Sequence, residues 1–404
     1  MKILIAADLH WPTINGVATF SRNLAKGLSE RGHEVLVIAP SQRRSGRGEE
    51  EMDGNHLVKR TMSVPFPLYQ NFRISVAPQR EVKKIIEEFE PDVVHIQMLL
   101  GIGQATMRYA QRYNIPVVTT NHAIPDNLLD NIRMLAPVSK QLSYLITEYG
   151  ARFHKKADYI TMPTQAAIDM LATGRTDLPD VPIKPVSNGI DLSRFQATKP
   201  GDAIYKKFSI PKDKLAITYV GRLDTEKHIH VLIDAFDQAL SKTKVPMHLV
   251  IVGGGTDAER LENHVYELGI HDHVTFTGRV TDDEIVELHK VGDIFGMPSP
   301  AELQCIAALE AMSSGKPVIA VNAGAVYELC QTDRNGYLCD KDNVDQFAQA
   351  IQALVEDDKL RAKFGKESIE IAKTHDLEHT LDQFEEIYEN VISTKTHLLP
   401  QRLL

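Results

Sequence analysis

Short apolar runs of strand length alternate with amphipathic helical patterns along almost the whole sequence, and the alternation restarts near its middle. In the first half, KILIAAD is followed by the helical pattern VATFSRNLAKGLSERG and then by HEVLVIAP. The second half begins again with LAITYVGR and continues with MHLVIVGGG, HVTFTGRV and PVIAVNAG. Continuous apolar strands separated by helices are typical of parallel sheets covered on both faces. Two such sets predict an α/β protein with two doubly wound domains.

The domain boundary is predicted near VSNGIDLSRF, residues 186–195, where an Asn-Gly turn and polar residues separate the two sets. A chain of 404 residues also suits two domains better than one core. We therefore predict one Rossmann-like domain over 1–187 and a second over 188–375. The remaining residues, 376–404, contain the helical pattern LEHTLDQFEEIYENVIS with no strand after it.

Composition excludes several classes of protein. No run approaches the roughly 20 apolar residues that span a bilayer, and the start, MKILIAADLHWPTING, predicts a strand and loop rather than a signal peptide. The net charge of −9 argues against a general nucleic-acid binder. The first half is more basic than the second, which fits either an anionic ligand or ordinary variation in solvated faces. The three cysteines have no metal-ligand spacing and are interpreted as reduced thiols of a cytoplasmic protein: Cys305, Cys330 and Cys339.

Two glutamates stand in an otherwise apolar stretch, AELQCIAALEAMSSGKPV, residues 301–318. We predict a helix that begins near Gln304 and ends before Gly315, so that Glu302 precedes its positive end. Glu310 would then lie about 9–12 Å from Glu302, at 1.5 Å per helical residue. This separation suits one long ligand, in which a sugar, an anionic centre and a second hydroxyl-bearing unit meet the first glutamate, the helix N-terminus and the second glutamate.

Two cations follow a strand of the same predicted sheet, in YVGRLDTEK. Arg222 and Lys227 there are able to neutralise a diphosphate and to stabilise it as it leaves. Each of them alone would more often be a surface cation. Together with the two glutamates they favour a nucleotide diphosphate sugar as the ligand.

The chain resembles the retaining glycosyltransferases of family 4, which have the GT-B fold. The resemblance rests on Glu302 and Glu310 as an E-x7-E motif and on four further segments in the expected order: PTINGVATF (12–20), PVSNGIDLSRF (185–195), GRLDTEK (221–227) and LEAMSSGKPVIA (309–320). It implies two Rossmann-like domains that face a cleft, with the C-terminal helix crossing back to the first domain. It also implies an enzyme that uses a nucleotide sugar as substrate and needs neither a cofactor nor a metal ion.

By this resemblance, Glu302 would bind hydroxyls of the donor sugar, Glu310 the ribose, and Arg222 and Lys227 the diphosphate. Gly16, in the loop after the first strand, would let the backbone approach the phosphates, because a Cβ would keep amide and phosphate apart. A simple strand-to-helix turn is the alternative role of Gly16.

The resemblance implies further donor contacts. Arg279 and Val280 would meet the base, largely through backbone groups, and the start of the glutamate helix would contribute Gln304, Cys305 and Ile306. The family often has aromatic and glycine residues directly after its first glutamate, and the different residues here leave the donor sugar open. A helix N-terminus tends to lower the pKa of a nearby thiol, but no base is paired with Cys305, so packing is its expected role.

The catalytic residues implied by the resemblance are His122, Arg222, Lys227 and Glu302. His122 follows an apolar strand and would lie near the sugar and the acceptor, whereas His95 is expected to be structural. No carboxylate is clearly placed as a nucleophile, so the leaving phosphate is expected to deprotonate the acceptor on one face of the sugar. TDDE, residues 281–284, is interpreted as a helix N-cap rather than a metal site.

The acceptor is predicted to bind to the first domain. SVPFPLYQNFRIS, residues 63–75, resembles a segment of lipid-directed members such as diacylglycerol glucosyltransferases and glycolipid mannosyltransferases. The amphipathic pattern of residues 139–159 ends in Arg152, Lys155 and Lys156 and suits either an anionic membrane or an ordinary core-facing helix. UDP-glucose is the favoured donor and a lipid such as diacylglycerol the favoured acceptor. The expected location is cytoplasmic, with peripheral association at the inner face of the cell membrane.

Other functions are kept open. GDP-mannose is an alternative donor, and a soluble or polysaccharide hydroxyl is an alternative acceptor. A nucleotide-sugar epimerase would share the architecture without needing an acceptor, and a sugar-nucleotide binding protein would retain the site without turnover. A dinucleotide-dependent oxidoreductase is disfavoured, because no G-x-G-x-x-G follows the first strand of either domain. The sequence leaves the oligomeric state undetermined.

Overall fold

The computed structural model describes residues 1–13, 15–43, 45, 48–66, 72–122, 139–172 and 180–398. These residues divide into two compact units. One unit contains the residues before Ile190 together with the C-terminal helix, and the other contains Ile190–Asp376.

The sheet of the first unit is parallel except at one edge. Its strands in spatial order are β10 (Ile183–Pro185), β9 (Tyr159–Met162), β8 (Val117–Thr120), β7 (Val93–Ile96), β1 (Lys2–Ala6), β2 (Glu34–Pro40), β4 (His56–Thr61) and the antiparallel β3 (Glu49–Asp53). Two short strands form a separate antiparallel pair, β5 (Ser63–Pro65) and β6 (Arg73–Ser75). The helices are α1 (Gly16–Glu30), α2 (Gln79–Phe89), α3 (Gly101–Arg112), α4 (Ser139–His154), α5 (Gln165–Ala172) and the C-terminal α13 (Leu377–Leu398).

Both faces of this sheet are buried because side chains alternate along each strand. On β1, Ile3 and Ile5 face one core, which also contains Phe384 of α13. Leu4 and Ala6 face the other core, with α2 and α3. The C-terminal helix is therefore part of the first unit, as the resemblance implied.

Helix α13 approaches α1 closely. A Cβ at Gly27 of α1 would lie 2.4 Å from Cδ1 of Leu381. Arg31, just after α1, forms ion pairs with three acidic residues of α13: Glu378, Asp382 and Glu385. A glycine on one helix and a buried leucine on the other thus allow contact between segments more than 350 positions apart.

The second unit has an entirely parallel sheet. Its strands in spatial order are β13 (Val274–Gly278), β12 (Met247–Val252), β11 (Leu215–Val220), β14 (Ile294–Met297), β15 (Val318–Val321) and β16 (Gly336–Cys339). Its helices are α6 (Asp202–Phe208), α7 (Ile229–Lys242), α8 (Ala258–Glu267), α9 (Asp282–Val291), α10 (Ile306–Ser313), α11 (Val344–Glu356) and α12 (Asp358–Lys373). From β11 the chain adds β12 and β13 on one side of the sheet. It then adds β14, β15 and β16 on the other side, so the strand order reverses between β11 and β14.

The helix predicted to follow Glu302 and to contain Glu310 is α10, and it begins two residues later than expected. Cys305 has an extended backbone (φ −84°, ψ 93°) and is the N-cap, so Gln304 precedes the helix. At the other end Gly315 has φ +75°, and Lys316 N–H donates to the carbonyl of Ala311 across 3.0 Å. This is the Schellman arrangement, which confirms Gly315 as the residue that ends the helix.

The TDDE segment is a helix N-cap, as predicted. Thr281 caps α9, and Glu284 completes a capping box with it. Among the helices of the described residues, none combines the length and the apolar composition that a membrane span requires.

Candidate functional site

The point at which the strand order reverses is where open parallel sheets bind ligands, beyond the carboxyl ends of the strands. In the second unit this point lies between β11 and β14. The segment after β11 carries Arg222 and Lys227, and the segment after β14 carries Glu302. The strand order therefore brings Arg222, Lys227 and Glu302 to the carboxyl ends of two neighbouring strands.

Lys227 and Glu302 form a direct ion pair, with 2.7 Å between Nζ and Oε1. Their side chains are 14% and 16% exposed. Burial alone would lower the pKa of Lys227, but the neighbouring carboxylate more than offsets this and raises it. The ammonium group thus stays charged and is held in place by Glu302.

Arg222 is held by two carboxylates of its own loop. Its Nη2 donates to Oε1 of Glu226 across 2.8 Å, and its Nη1 donates to Asp224. Asp224 also accepts hydrogen bonds from the backbone N–H and the hydroxyl of Thr256, each at 2.9 Å. The Arg222 side chain is one-third exposed.

Glu310 lies on α10 and accepts a hydrogen bond from Nε2 of His289 across 3.0 Å. His289 is fully buried on α9, and its ring packs against Phe195 and Phe295 with centroids 5.7 and 6.0 Å apart. Sequence reasoning missed this histidine, because a single buried histidine on an amphipathic helix gives no motif. The hydrogen bond from His289 fixes the orientation of the Glu310 carboxylate. The resemblance assigns this carboxylate to the ribose.

The residues around the start of α10 are mostly buried. Gln304 is 7% exposed, with Nε2 3.4 Å from Nδ1 of His375. Cys305 is 3% exposed, and burial, with the charge of Glu302, raises the pKa of its thiol. Burial thus outweighs the lowering effect of the backbone hydrogen bond with Ala308 in the first turn of the helix, and the thiol packs in the core as expected. Ile306 is partly buried against the same core.

The segment predicted to meet the base follows β13, at the edge of the sheet. Arg279 is exposed and Val280 is partly buried against the core. A Cβ at Gly254, after β12, would lie 3.0 Å from Cγ of Arg279, so the arginine stem crosses this glycine. At the carboxyl ends of the strands, the predicted base contacts follow β13, the predicted phosphate contacts follow β11 and the predicted sugar contact follows β14. The strand order therefore places these three contacts in this sequence across the sheet.

The first unit carries the two remaining predicted residues. Gly16 is exposed and is the first residue of α1, after the N-cap Asn15. It is thus at a helix N-terminus rather than within a loop.

His122 follows β8, and its Nε2 donates to Oε1 of Gln97 across 2.8 Å. Burial lowers the pKa of His122 to about 3, so its ring is neutral at physiological pH. Its neighbour in the core, His95, bonds to Tyr388 of α13, which fits the structural role expected for it.

The strand order of the first unit reverses between β1 and β7, and there the N-terminus of α3 is already occupied. The buried carboxylate of Asp8 accepts hydrogen bonds from the backbone N–H groups of Ile102 and Gly103, at 3.0 and 3.1 Å. Burial raises the pKa of Asp8 to about 6, despite these bonds. The carboxylate of Asp8 thus occupies a helix N-terminus, a position that commonly binds anions, and sequence reasoning did not foresee this.

Two of the predicted acceptor features are only partly described. The Pro-aromatic segment includes residues 67–71, which lie outside the described residues. The helix predicted within residues 139–159 is present as α4, and it leaves three large side chains exposed: Tyr144 (50%), Leu145 (61%) and Tyr149 (46%).

Comparison with known proteins covers both units. Residues 14–194 match the model of Glycosyltransferase Family 4, and residues 202–371 match that of Glycosyl transferases group 1. The chain is 29% identical over 358 residues to a GDP-mannose-dependent alpha-mannosyltransferase of Mycolicibacterium smegmatis, with 88% of each chain covered. It is 27% identical to an alpha-monoglucosyldiacylglycerol synthase of Streptococcus pneumoniae, with 79% of this chain and 71% of the relative covered.

Solved structures share the fold. Sucrose-phosphate synthase of Thermosynechococcus elongatus superimposes with a TM-score of 0.77 at 19% identity, over 97% of this chain and 99% of the other. Anabaena HepE in complex with UDP and glucose gives a TM-score of 0.72 at 21% identity, over 96% of this chain and 100% of the other. At these identities the likeness concerns the fold alone.

Proposed function

The chain is a family 4 glycosyltransferase of the GT-B fold, and from this premise we propose that it transfers a hexose, with retention, from a nucleotide diphosphate sugar to a lipid hydroxyl. UDP-glucose is the donor that we favour, and a diacylglycerol the acceptor. The observation that carries the donor site is the Lys227–Glu302 ion pair at the reversal point of the second sheet.

The donor would lie along the strand ends of the second unit. Arg279 and Val280 would contact the base, Glu310 the ribose, and Arg222 and Lys227 the diphosphate. Glu302 would bind the hexose hydroxyls while it remains paired with Lys227. Because two cations already balance the diphosphate, the proposed transfer needs no metal ion or cofactor.

Catalysis in this proposal comes from position and charge. The bond from the anomeric carbon to the diphosphate oxygen breaks as the acceptor oxygen bonds to the same carbon from the same face of the sugar. The departing diphosphate oxygen takes the proton of the acceptor hydroxyl. Lys227 and Arg222 stabilise the negative charge that develops on the leaving diphosphate. His122, neutral at physiological pH, would act as a hydrogen-bonding group near the sugar rather than as a cation.

The lipid acceptor is supported by α4. Leu145 and Tyr149 are four residues apart and share one face of the helix, Tyr144 is exposed beside them, and Arg152 follows Tyr149 by three residues. Exposed aromatic and aliphatic side chains beside basic residues are typical of helices that rest on anionic membranes. We therefore propose peripheral association with the cytoplasmic side of the cell membrane. The glucosyldiacylglycerol synthase relative supports the same acceptor class.

GDP-mannose is the second donor candidate, because a similar relative is a GDP-mannose-dependent mannosyltransferase. The test is a titration of the purified protein with UDP-glucose, UDP-galactose, UDP-GlcNAc and GDP-mannose, read by thermal stabilisation and by release of the nucleoside diphosphate. Each donor is measured with and without diacylglycerol micelles, and Glu302→Gln serves as the near-isosteric control.

Stabilisation by UDP-glucose alone, with diphosphate release that rises on adding lipid, is the expected result. Release that ignores lipid would redirect the search to soluble or polysaccharide acceptors. Interconversion of UDP-glucose and UDP-galactose without an acceptor would indicate an epimerase, and binding without turnover a sugar-nucleotide binding protein. No binding of any donor would overturn the proposed roles of Glu302 and Glu310.

A further inference from the structure

Two buried histidines and an aspartate converge in the first unit, and the proposed sugar transfer uses none of the three. One ligand atom each from His10, Asp53 and His56 lies within 4.8 Å of the others. Both histidines are 1% exposed. His10 lies in the segment after β1, Asp53 is the last residue of β3, and His56 is the first residue of β4. The tight turn between the two strands sets Asp53 and His56 opposite each other in the sheet.

Three of the four ring nitrogens in this cluster lack hydrogen-bond partners among the described residues. Nδ1 of His10 is 3.0 Å from the hydroxyl oxygen of Ser21, whereas its Nε2 has no hydrogen-bond partner there. Both nitrogens of His56 are likewise buried without a partner. Buried polar atoms are nearly always satisfied, so three unpaired ring nitrogens beside one carboxylate indicate that a ligand belongs between them.

The chemistry of these groups selects the class of ligand. Two imidazole nitrogens and one carboxylate oxygen are a ligand set that divalent transition metals, zinc above all, bind in proteins. Metal-bound histidines commonly use their second nitrogen in a hydrogen bond that fixes the ring, and Ser21 supplies that bond to His10. We propose that His10, Asp53 and His56 form a zinc site with the fourth position open.

The three ligand atoms, which lie within 4.8 Å of one another, must move closer together to share one ion. Nε2 of His56 is 4.0 Å from Oδ2 of Asp53, whereas two ligands of a tetrahedral zinc ion at about 2.0–2.1 Å lie roughly 3.4 Å apart. Arg22 fixes the carboxylate, since its Nε donates to Oδ2 across 2.8 Å and its Nη2 to Oδ1 across 3.1 Å. A metal at Oδ2 leaves the bond to Oδ1 in place.

Nearby positive charge limits the affinity. The guanidinium of Arg22 lies 4.2 Å from the ring centroid of Trp11, the residue after His10. Arg60 is also near and is paired with Glu51 across 2.6 Å. Arg22 already pairs with the ligand carboxylate of Asp53, so we expect micromolar rather than picomolar binding. The bound ion would fasten the segment before α1 to the β3–β4 pair, which is a structural role separate from sugar transfer.

The experiment uses the full chain without a histidine tag, stripped with EDTA and dialysed. Calorimetric titration with zinc chloride is expected to give one site per chain, and saturating zinc to raise the melting temperature by a few degrees. Cobalt(II) is expected to give the intense visible absorption of a four-coordinate ion. His56→Leu, which removes both unpaired nitrogens of that ring, and Asp53→Asn are each expected to weaken zinc binding at least tenfold. His271→Gln, at an exposed histidine of the other unit, is the matched control and should bind as the unmodified chain does.

Absence of zinc binding up to 100 µM would overturn the proposal. So would the weak absorption of six-coordinate cobalt, or variants that bind zinc as tightly as the unmodified chain. Should His56→Leu fail to fold by near-ultraviolet circular dichroism, Asp53→Asn and the cobalt spectrum of the unmodified chain still decide the question. These readouts involve no sugar transfer, so they are independent of the proposed function.

Discussion

His289 donates a hydrogen bond to Glu310 across 3.0 Å, from a fully buried ring on α9 to the carboxylate on α10. The two residues are 21 positions apart, and two phenylalanine rings confine the imidazole. A carboxylate aimed in this way loses less conformational entropy when a ribose binds it.

Replacing His289 tests this positioning role. His289→Leu should raise the KM for the donor about tenfold, the range of one lost hydrogen bond to a charged group, with a smaller change in kcat. His289→Gln, which retains an N–H donor, should recover part of the affinity. Initial rates at varied donor concentration separate the two constants. Equal losses of kcat and stability with an unchanged KM would mean that His289 only supports the core.

The Lys227–Glu302 pair predicts coupled effects on stability. Lys227→Met should cost on the order of 2 kcal/mol, because it leaves a mostly buried carboxylate without its partner. The double variant Lys227→Met with Glu302→Leu should recover much of that stability and remain inactive. Urea unfolding of the four proteins completes the double-mutant cycle. If the two single effects simply add in the double variant, the pair is not coupled.

The buried His154 predicts acid sensitivity. It is 4% exposed, and burial lowers its pKa to about 4 from the ordinary 6.5. The unfolded chain therefore binds a proton between pH 6.5 and 4 that the folded chain does not, so stability falls as the pH falls through this window. His154→Gln should reduce the slope by up to about 1.4 kcal/mol per pH unit. Urea unfolding at pH 6.5, 5.5 and 4.5 measures it, with His271→Gln as control, and an unchanged slope would contradict the prediction.

Gly27 and Leu381 predict a compensating pair of substitutions. Gly27→Val places a branched side chain against Leu381 and should destabilise the docking of α13 by about 1–3 kcal/mol through overpacking. Combining it with Leu381→Ala should restore part of that loss. Limited proteolysis near the C-terminus and thermal unfolding report on the helix. Faster cleavage in the double variant than in Gly27→Val would show that the contact does not limit docking.

The exposed face of α4 predicts membrane binding. Replacing Tyr144, Leu145 and Tyr149 together by serine should abolish sedimentation with phosphatidylglycerol vesicles at low salt, while thermal stability stays within about 0.5 kcal/mol because the side chains are exposed. A matched triple serine variant at the exposed Met52, Tyr266 and Tyr327 should still sediment. If the unmodified protein ignores the vesicles, the peripheral location is wrong.

Much of the site was predictable because it depends on local pattern. The alternation of strands and helices predicted two doubly wound units, and the parallel order of strands carried Arg222, Lys227 and Glu302 to one edge. Gly315 was identified as a helix terminator, since only the chain near it determines where α10 stops. The start of α10 was missed by two residues, because Cys305 adopts an extended conformation that its own side chain does not signal.

The sequence by itself determined the α/β class, the E-x7-E pair and the cations beside it, since these follow from short-range periodicity and spacing. Only the tertiary structure decided which side chains meet: His289 with Glu310, Lys227 with Glu302, Asp8 with the N-terminus of α3, and His10 with Asp53 and His56. It also decided that burial outweighs the helix N-terminus in its effect on the pKa of the Cys305 thiol. The physical reason is that contact and desolvation depend on packing between distant segments, which no local pattern encodes.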